Sequence, residues 1–208
     1  MVGTSRKKTG QKNYKYRDYL GWQPPERWEI ICGEAYAMTP GPDVDHQRIL
    51  RDLGTQINVF LQGKACELFL APFDLLIPAE NEADEEVNTV LQPDAFVVCD
   101  PAKISRRGCR GAPDWVIEIL SPSTAGRDQI TKRRVYEKAG VKEYWIFSPS
   151  ERLVFVYHLQ NGKLILSEIY DETAKIAVST LPGLTIDCSL VFPFVPPTLL
   201  KEPSELYA

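Results

Sequence analysis

Glu118 lies inside Asp114-Trp115-Val116-Ile117-Glu118-Ile119-Leu120, where its immediate neighbours all belong in a protein core. A loop precedes this run and Ser121-Pro122-Ser123-Thr124 comes after it, which predicts a short strand covered on both faces. Alternation turns Trp115, Ile117 and Ile119 to one side, and Asp114, Val116, Glu118 and Leu120 to the other. Glu118 therefore points into packed side chains, where a carboxylate is costly unless it is protonated, paired or bound to a cation. A structural salt bridge or hydrogen bond is one answer. A second acid suggests another: Asp94 opens the apolar run Asp94-Ala95-Phe96-Val97-Val98, and Pro93 marks its start. Two acids at the ends of adjacent strands can converge on one hard divalent cation, since Mg2+ takes oxygen ligands and one or two carboxylates commonly suffice.

The elements that must position these acids can be read from periodicity and caps. After Glu118, Ser123 or Thr124 can cap a helix that runs through Ala139 and stops at Gly140, with Asp128, Lys132 and Tyr136 four apart on one stripe. A helix packing back on its sheet lays its first turns over the preceding strand, so Lys132 can bring a positive charge to Glu118 or remain a solvated lysine. Upstream, Trp28 to Ile31, Cys32-Gly33 and Glu34 to Met38 read as a hairpin, with Glu34 opening its second strand. Residues Asp45 to about Gln62 read as an amphipathic helix, on the spacing of Ile49, Leu50, Leu53, Ile57, Phe60 and Leu61. At its start, His46 can meet a phosphate or close the first turn; no second histidine is near, which argues against zinc. Glu67 to Ile77 reads as one strand, with Asp74 turned away from Phe73, Leu75 and Ile77. Asp74 can support Lys132, bind a second ion or be a buried hydrogen-bonded acid. Lys103, Arg106, Arg107 and Arg110 fall in the loop between the two acid-bearing strands, where they suit phosphate contacts or a solvated surface. Further strands are expected at 143–147, in a hairpin of 152–159 and 163–169 around Asn161-Gly162, and at 175–179 and 184–188.

Several of these stretches together resemble the Uma2 branch of the Asp…(Asp/Glu)-X-Lys nuclease superfamily: Trp28 to Glu34, Pro42 to Gln47, Gln92-Pro93-Asp94, Ile117 to Thr124 and Gly140 to Trp145. The similarity covers about Tyr16 to Pro193. It implies a restriction-endonuclease-like core of α/β class, a mixed central sheet with the helices of 45–62 and 124–139 packed on it and β-hairpins added. It also implies divalent-metal-dependent hydrolysis of DNA phosphodiester bonds. In that reading Asp94, Glu118 and the Ile119 carbonyl hold Mg2+, with Mn2+ a substitute, and Glu34 completes the acidic cluster. The superfamily lysine belongs two residues after the acid, where this chain has Leu120, and the matching residue becomes Lys132 on the helix. That departure keeps a second class open, a catalytically silent nucleic-acid- or protein-binding module on the same fold. A third is a nuclease that works only with a partner.

Composition sets the remaining expectations. The chain of 208 residues carries net charge −4, but residues 1–17 hold six basic residues and no acid. Removing those six from the 24 basic residues leaves 18 against 28 acidic ones, so the body is acidic. An acidic body is not the first electrostatic expectation for a nucleic-acid enzyme. The basic stretch of 1–17 reads as a disordered arm or a source of phosphate contacts, 18–193 as one domain, and the acidic run 80–86 as a solvated loop. The Pro-rich end, 194–208, is extended and suited to docking on another subunit, with a homodimer the expected assembly. Five cysteines without a close pair read as unpaired fillers in a reducing, cytoplasmic setting. No apolar stretch reaches the roughly 20 residues of a membrane span.

Overall fold

The computed structural model describes residues 13–22, 27–38, 43–121 and 126–192, the side chains of 127–129 excepted. The expected cap at Ser123 or Thr124, the side chain of Asp128, the first twelve residues of the basic arm and the Pro-rich end lie outside the described residues. In chain order the first elements are α1 (Tyr16–Tyr19), β1 (Trp28–Ile31), β2 (Glu34–Ala37), α2 (Val44–Leu61), β3 (Glu67–Leu70), β4 (Leu75–Leu76), β5 (Val90–Leu91) and β6 (Ala95–Val98). Then come β7 (Ile104–Ser105), β8 (Gly108–Arg110), β9 (Trp115–Ile119) and a π-helical stretch, Arg127–Lys132, that continues as α3 (Arg133–Ala139). The chain closes with β10 (Glu143–Ser148), β11 (Leu153–Gln160), β12 (Lys163–Asp171), β13 (Lys175–Ala177), β14 (Thr185–Asp187) and α4 (Cys188–Val191).

The strands make two six-stranded sheets, not one. The first, with the longer strands, runs β12-β11-β10-β9-β6-β3, with β9 and β10 parallel and the other pairs antiparallel. The second runs β2-β1-β5-β4-β8-β7, and β13-β14 form a separate ribbon. The predicted alternation of β9 holds: Trp115, Ile117 and Ile119 enter a core with α2, α4 and the β13-β14 ribbon. Val116 and Leu120 enter a second core that gathers Ile31, Leu75 and Leu91 of the second sheet and Tyr136 of α3. Glu118, on the same face as Val116, thus points into the seam between the two sheets.

The expected single strand from Glu67 to Ile77 is instead two strands in different sheets, interrupted at Pro72. Proline has no N–H to continue a ladder, so the chain leaves one sheet and joins the other there. Residues 13–17, read as part of the basic arm, pack against the rest of the described chain. Tyr14 and Tyr16 are buried beside Trp28, Ile30 and Val90, and Asn13 and Tyr14 both donate backbone N–H bonds to the Gly33 carbonyl. Gly33 (φ +80°) closes the β1-β2 turn, and a Cβ there would stand 2.8 Å from Asn13 Cα, so glycine is needed for both reasons. The acidic run keeps its carboxylates largely in solvent, as expected, but several are also paired: Glu86 with Lys15 and Arg17, Asp84 with Arg110, and Glu85 with Arg107. Finally, Cys66 and Cys99 form a disulfide across the end of the β3-β6 pair, one step beyond Glu67 opposite Val98. This corrects the unpaired reading. Cys109 and Cys188 are the buried fillers expected, and burial pushes both thiols up to about 12.

Candidate active site

The seam holds a buried ion-pair cluster. Lys132 is 4 % exposed, whereas Ile130, two residues earlier, is 52 % exposed, an inversion of what hydropathy alone would choose. Two residues apart in a helix, they face nearly opposite sides, and both lie in the π-helical stretch, a turn type that recurs at functional positions. Lys132 Nζ lies 3.0 Å from Glu118 Oε1 and 2.9 Å from Glu29 Oε1, so one ammonium bridges a carboxylate from each sheet. Glu29 and Glu118 are 1 % and 2 % exposed. A buried ion pair is favourable only when its remaining lone pairs are also met. Here the Tyr136 hydroxyl donates to Glu118 Oε1 at 2.7 Å, and the Gln92 backbone N–H donates to Glu29 Oε1 at 3.0 Å. Burial, then the charge of Glu118, holds the Tyr136 phenol well above its ordinary range, so it remains a donor.

Asp94 stands at the mouth of β6. Continuing the antiparallel register one step past Ala95 opposite Ile117 places Asp94 across from Glu118. Its Oδ2 accepts the Ile119 backbone N–H at 2.7 Å, and its Oδ1 lies 3.1 Å from His46 Nε2. His46 is set by the first turn of α2, where the Asp43 carboxylate accepts its backbone N–H at 2.8 Å. The His46 ring thus meets Asp94, while its backbone N–H, bonded to Asp43, is what closes the first turn.

Asp74 is not bonded to Lys132. It accepts from Tyr19 (2.9 Å), Tyr16 (3.3 Å) and Gln92 Nε2 (2.8 Å), and so fixes the residue whose backbone holds Glu29. Burial, then Asp74, pushes the Tyr16 phenol up to about 12 and raises Tyr19 as well, keeping both as donors. Glu34 is half-buried and accepts the Tyr36 hydroxyl at 2.7 Å, on the β2 strand that pairs with the strand of Glu29. From the expected basic loop, Lys103 donates to the Ala112 carbonyl at 2.8 Å, Arg110 binds Asp84 and the Glu82 carbonyl, Arg107 pairs with Glu85 at 3.8 Å, and Arg106 is exposed. Two of these four cations are thus matched to acids of the same chain.

Sequence reasoning missed Glu29. The signal was present, since Trp28-Glu29-Ile30-Ile31 is a lone acid in an apolar strand, the same pattern that singled out Glu118. The donor chemistry of Asp94, Glu118, Glu29 and the Ile119 carbonyl is all hard oxygen, which fits Mg2+ and not a softer metal. Among the described residues, no group of three or more His, Cys, Asp or Glu side chains is already gathered as a cage.

Comparison with known proteins gives concordant results. Residues 16–189 match the model of a family named Uma2 and described as "Putative restriction endonuclease". The uncharacterized protein slr1290 of Synechocystis sp. (strain ATCC 27184 / PCC 6803 / Kazusa) is 31 % identical over 178 residues, covering 84 % of this chain and 89 % of that protein. A crystal structure from Anabaena variabilis ATCC 29413, described as "a putative nuclease belonging to DUF820", superposes with a TM-score of 0.67 at 24 % identity. It covers 85 % of this chain and 96 % of its own, and it shows a shared fold of mixed sheets flanked by helices.

Proposed function

The chain belongs to the Uma2 family, and on that premise we propose that it is a divalent-metal-dependent endonuclease that hydrolyses DNA phosphodiester bonds at the Asp94–Glu118–Lys132 cluster. The observation that carries this reading is a lysine ammonium buried between two buried carboxylates, with a third carboxylate across the strand pair. Asp94, Glu118 and the Ile119 carbonyl would hold Mg2+, which when bound lowers the pKa of a water and offsets charge on the phosphoryl oxygens. Lys132, hydrogen-bonded to two acceptors, serves as a fixed donor and positive charge for a phosphate oxygen on which negative charge grows. Tyr136 and the Ile119 N–H hold the Glu118 and Asp94 carboxylates in place, so neither has to reorganise when substrate arrives. Packing of both sheets around the seam excludes water from the ammonium and strengthens its field.

One observation favours the silent-module reading: Lys132 is already engaged by two carboxylates in a closed ion pair. A cleavage assay on supercoiled plasmid and on single-stranded DNA, with Mg2+, Mn2+ or EDTA, decides between the two. The nuclease reading expects metal-dependent nicking that Asp94→Ala abolishes. Equal nicking by both proteins, or none by either with any metal, would leave the binding module standing.

A further inference from the structure

Gln92 is a junction. Its backbone N–H holds Glu29, its Nε2 donates to Asp74 Oδ1 and to the Tyr19 hydroxyl at 2.8 Å each, and its Oε1 accepts from Arg27 Nε at 3.0 Å and Nη2 at 2.5 Å. The two residues after it are Pro93 and Asp94, so Arg27 is tethered to the tripeptide that ends in the site's strand-mouth acid. Arg27 also precedes Glu29 by two positions, which puts both on the same side of the strand direction.

What distinguishes Arg27 is the chemistry of its anchor. Arg17, Arg107 and Arg110 are matched to Glu86, Glu85 and Asp84, so their charges are largely cancelled within the chain. Arg27 is exposed and is held by a neutral amide; among the described residues it makes no ion pair. Its orientation is therefore fixed by a group that carries no charge, with the Asp74 carboxylate reached only through the Gln92 amide. A guanidinium has five N–H groups. Two of Arg27's are committed to Gln92, leaving Nη1 and one N–H of Nη2 as a second fork of the kind that matches two oxygens of a phosphate.

We infer that Arg27 is the phosphate-positioning residue of this site, taking the non-bridging oxygens of a nucleic-acid phosphodiester laid against the Asp94–Glu118 face. This inference rests on the nuclease reading. It moves the phosphate contact from the loop of 103–110 to the rim formed by Arg27 and Gln92, and it explains how an acidic body seats a polyanion beside three carboxylates. Arg27 acts on binding and register, not on the reacting bond.

The test is fluorescence anisotropy in EDTA with a labelled DNA of about 20 nucleotides, long enough to span several phosphate contacts, single-stranded and as duplex, over a series of KCl concentrations. Wild type is compared with Arg27→Gln, Arg27→Met (which keeps the aliphatic stem) and Arg27→Lys. Each neutral variant should weaken binding several-fold and reduce the slope of log K against log salt by about 0.9 for duplex or about 0.7 for single strand, the value of one phosphate contact. Arg27→Lys should keep the slope while losing some affinity, because the point charge survives and the fork does not. Neutral variants with the wild-type slope would overturn the role of Arg27 and leave the nuclease reading intact. Loss of slope in Arg27→Lys as well would also overturn it, since charge would not then be the operative property. A wild type that binds neither DNA form at any salt would overturn both.

Discussion

Two buried glutamates lie on neighbouring parallel strands, Glu118 on β9 and Glu143 on β10, and they are satisfied in opposite ways. Glu143 is enclosed by donors fixed to its own sheet and to the segment after β13. Its Oε1 accepts from Trp145 Nε1 (2.8 Å) and the Ser179 N–H (3.2 Å), and its Oε2 from the Thr180 N–H (2.8 Å) and hydroxyl (2.9 Å). His158 Nε2, 3.4 Å away, is shared with the Ser179 hydroxyl at 3.0 Å, so one nitrogen serves both and no relay of serine, histidine and acid is formed. Glu118 instead faces a lysine ammonium and a phenol supplied by a different element, opposite a second acid. Burial of an acid thus does not identify a site. The kind of partner separates the two: Glu143 has fixed neutral donors that make a joint, whereas Glu118 shares a cation with a second carboxylate, the arrangement the proposed chemistry needs.

Substitutions separate these two roles, and the largest effect on stability is expected at Lys132. Lys132→Met leaves Glu29 and Glu118 facing each other without their shared ammonium, which should cost about 3–5 kcal/mol. Calorimetry should show this loss and its partial recovery on adding Mn2+; a melting temperature equal to wild type would place the ammonium outside the energetics of the seam. Next comes Glu143→Gln, which puts an amide NH2 among groups that are themselves donors and should destabilise by about 2–4 kcal/mol. Urea titration measures that loss, and cleavage per folded molecule should be unchanged. A catalytic defect exceeding the loss of folded protein would break the distinction.

Glu118→Gln should behave in the reverse sense. Its amide carbonyl can still accept from Lys132 and Tyr136, so the stability change should stay near 1 kcal/mol, on the order of one hydrogen bond. Cleavage should nonetheless fall by roughly 10²-fold or more, the usual cost of losing an electrostatic group at a reacting centre. Equal activity of Glu118→Gln and wild type would make Glu118 a second Glu143. The smallest effect belongs to Asp114, at the start of the same strand. Burial raises its pKa, but the Lys142 ammonium at 2.7 Å and the Cys99 N–H at 2.8 Å outweigh that and hold it below the usual carboxylate range. A depressed folded value means stabilisation that is complete above the unfolded pKa of about 3.9 and is lost as pH falls through the lower folded value. Asp114→Asn should therefore flatten the acid limb of stability below about pH 4 by less than about 1 kcal/mol, given the exposed Lys142 partner. An acid limb superimposable on wild type would remove this contribution.

What could be seen in the sequence depended on range. The apolar strand around Glu118, the hairpin at Cys32-Gly33 and the amphipathic α2 are local patterns, and each appears near its expected bounds. Lys132 was placed beside Glu118 by the packing of a helix on its preceding strand, also a short-range argument, and their hydrogen bond is 3.0 Å. Contacts fixed by the pairing of distant strands were not legible. Cys66 meets Cys99 only because β3 and β6 are in that register, and Glu29 meets Lys132 only because a second sheet closes over the first. Glu67 to Ile77 was read as one strand because alternation was carried through Pro72 unbroken, although proline's missing N–H argued for a break; the turning of Asp74 away from Phe73, Leu75 and Ile77 nonetheless holds. The ion pairs of the acidic run were not legible because their cations, Lys15, Arg17, Arg107 and Arg110, come from segments far along the chain.

The bridge that Lys132 makes between the two sheets has a consequence in time as well as in charge. Glu29 belongs to one sheet and Glu118 to the other, so parting of the sheets must stretch this cluster. Two amide protons sit at its borders: that of Gln92 on Glu29, and that of Ile119 on Asp94. Each of these bonds lies within its own sheet, so their exchange with solvent deuterium reports how firmly each sheet holds its carboxylate at the seam. If the ammonium steadies both carboxylates, Lys132→Met speeds exchange of the two amides together, and binding of an ion or a phosphodiester to the wild type slows both. The cluster would then act as a clasp whose fastening can be timed without watching any bond being cut.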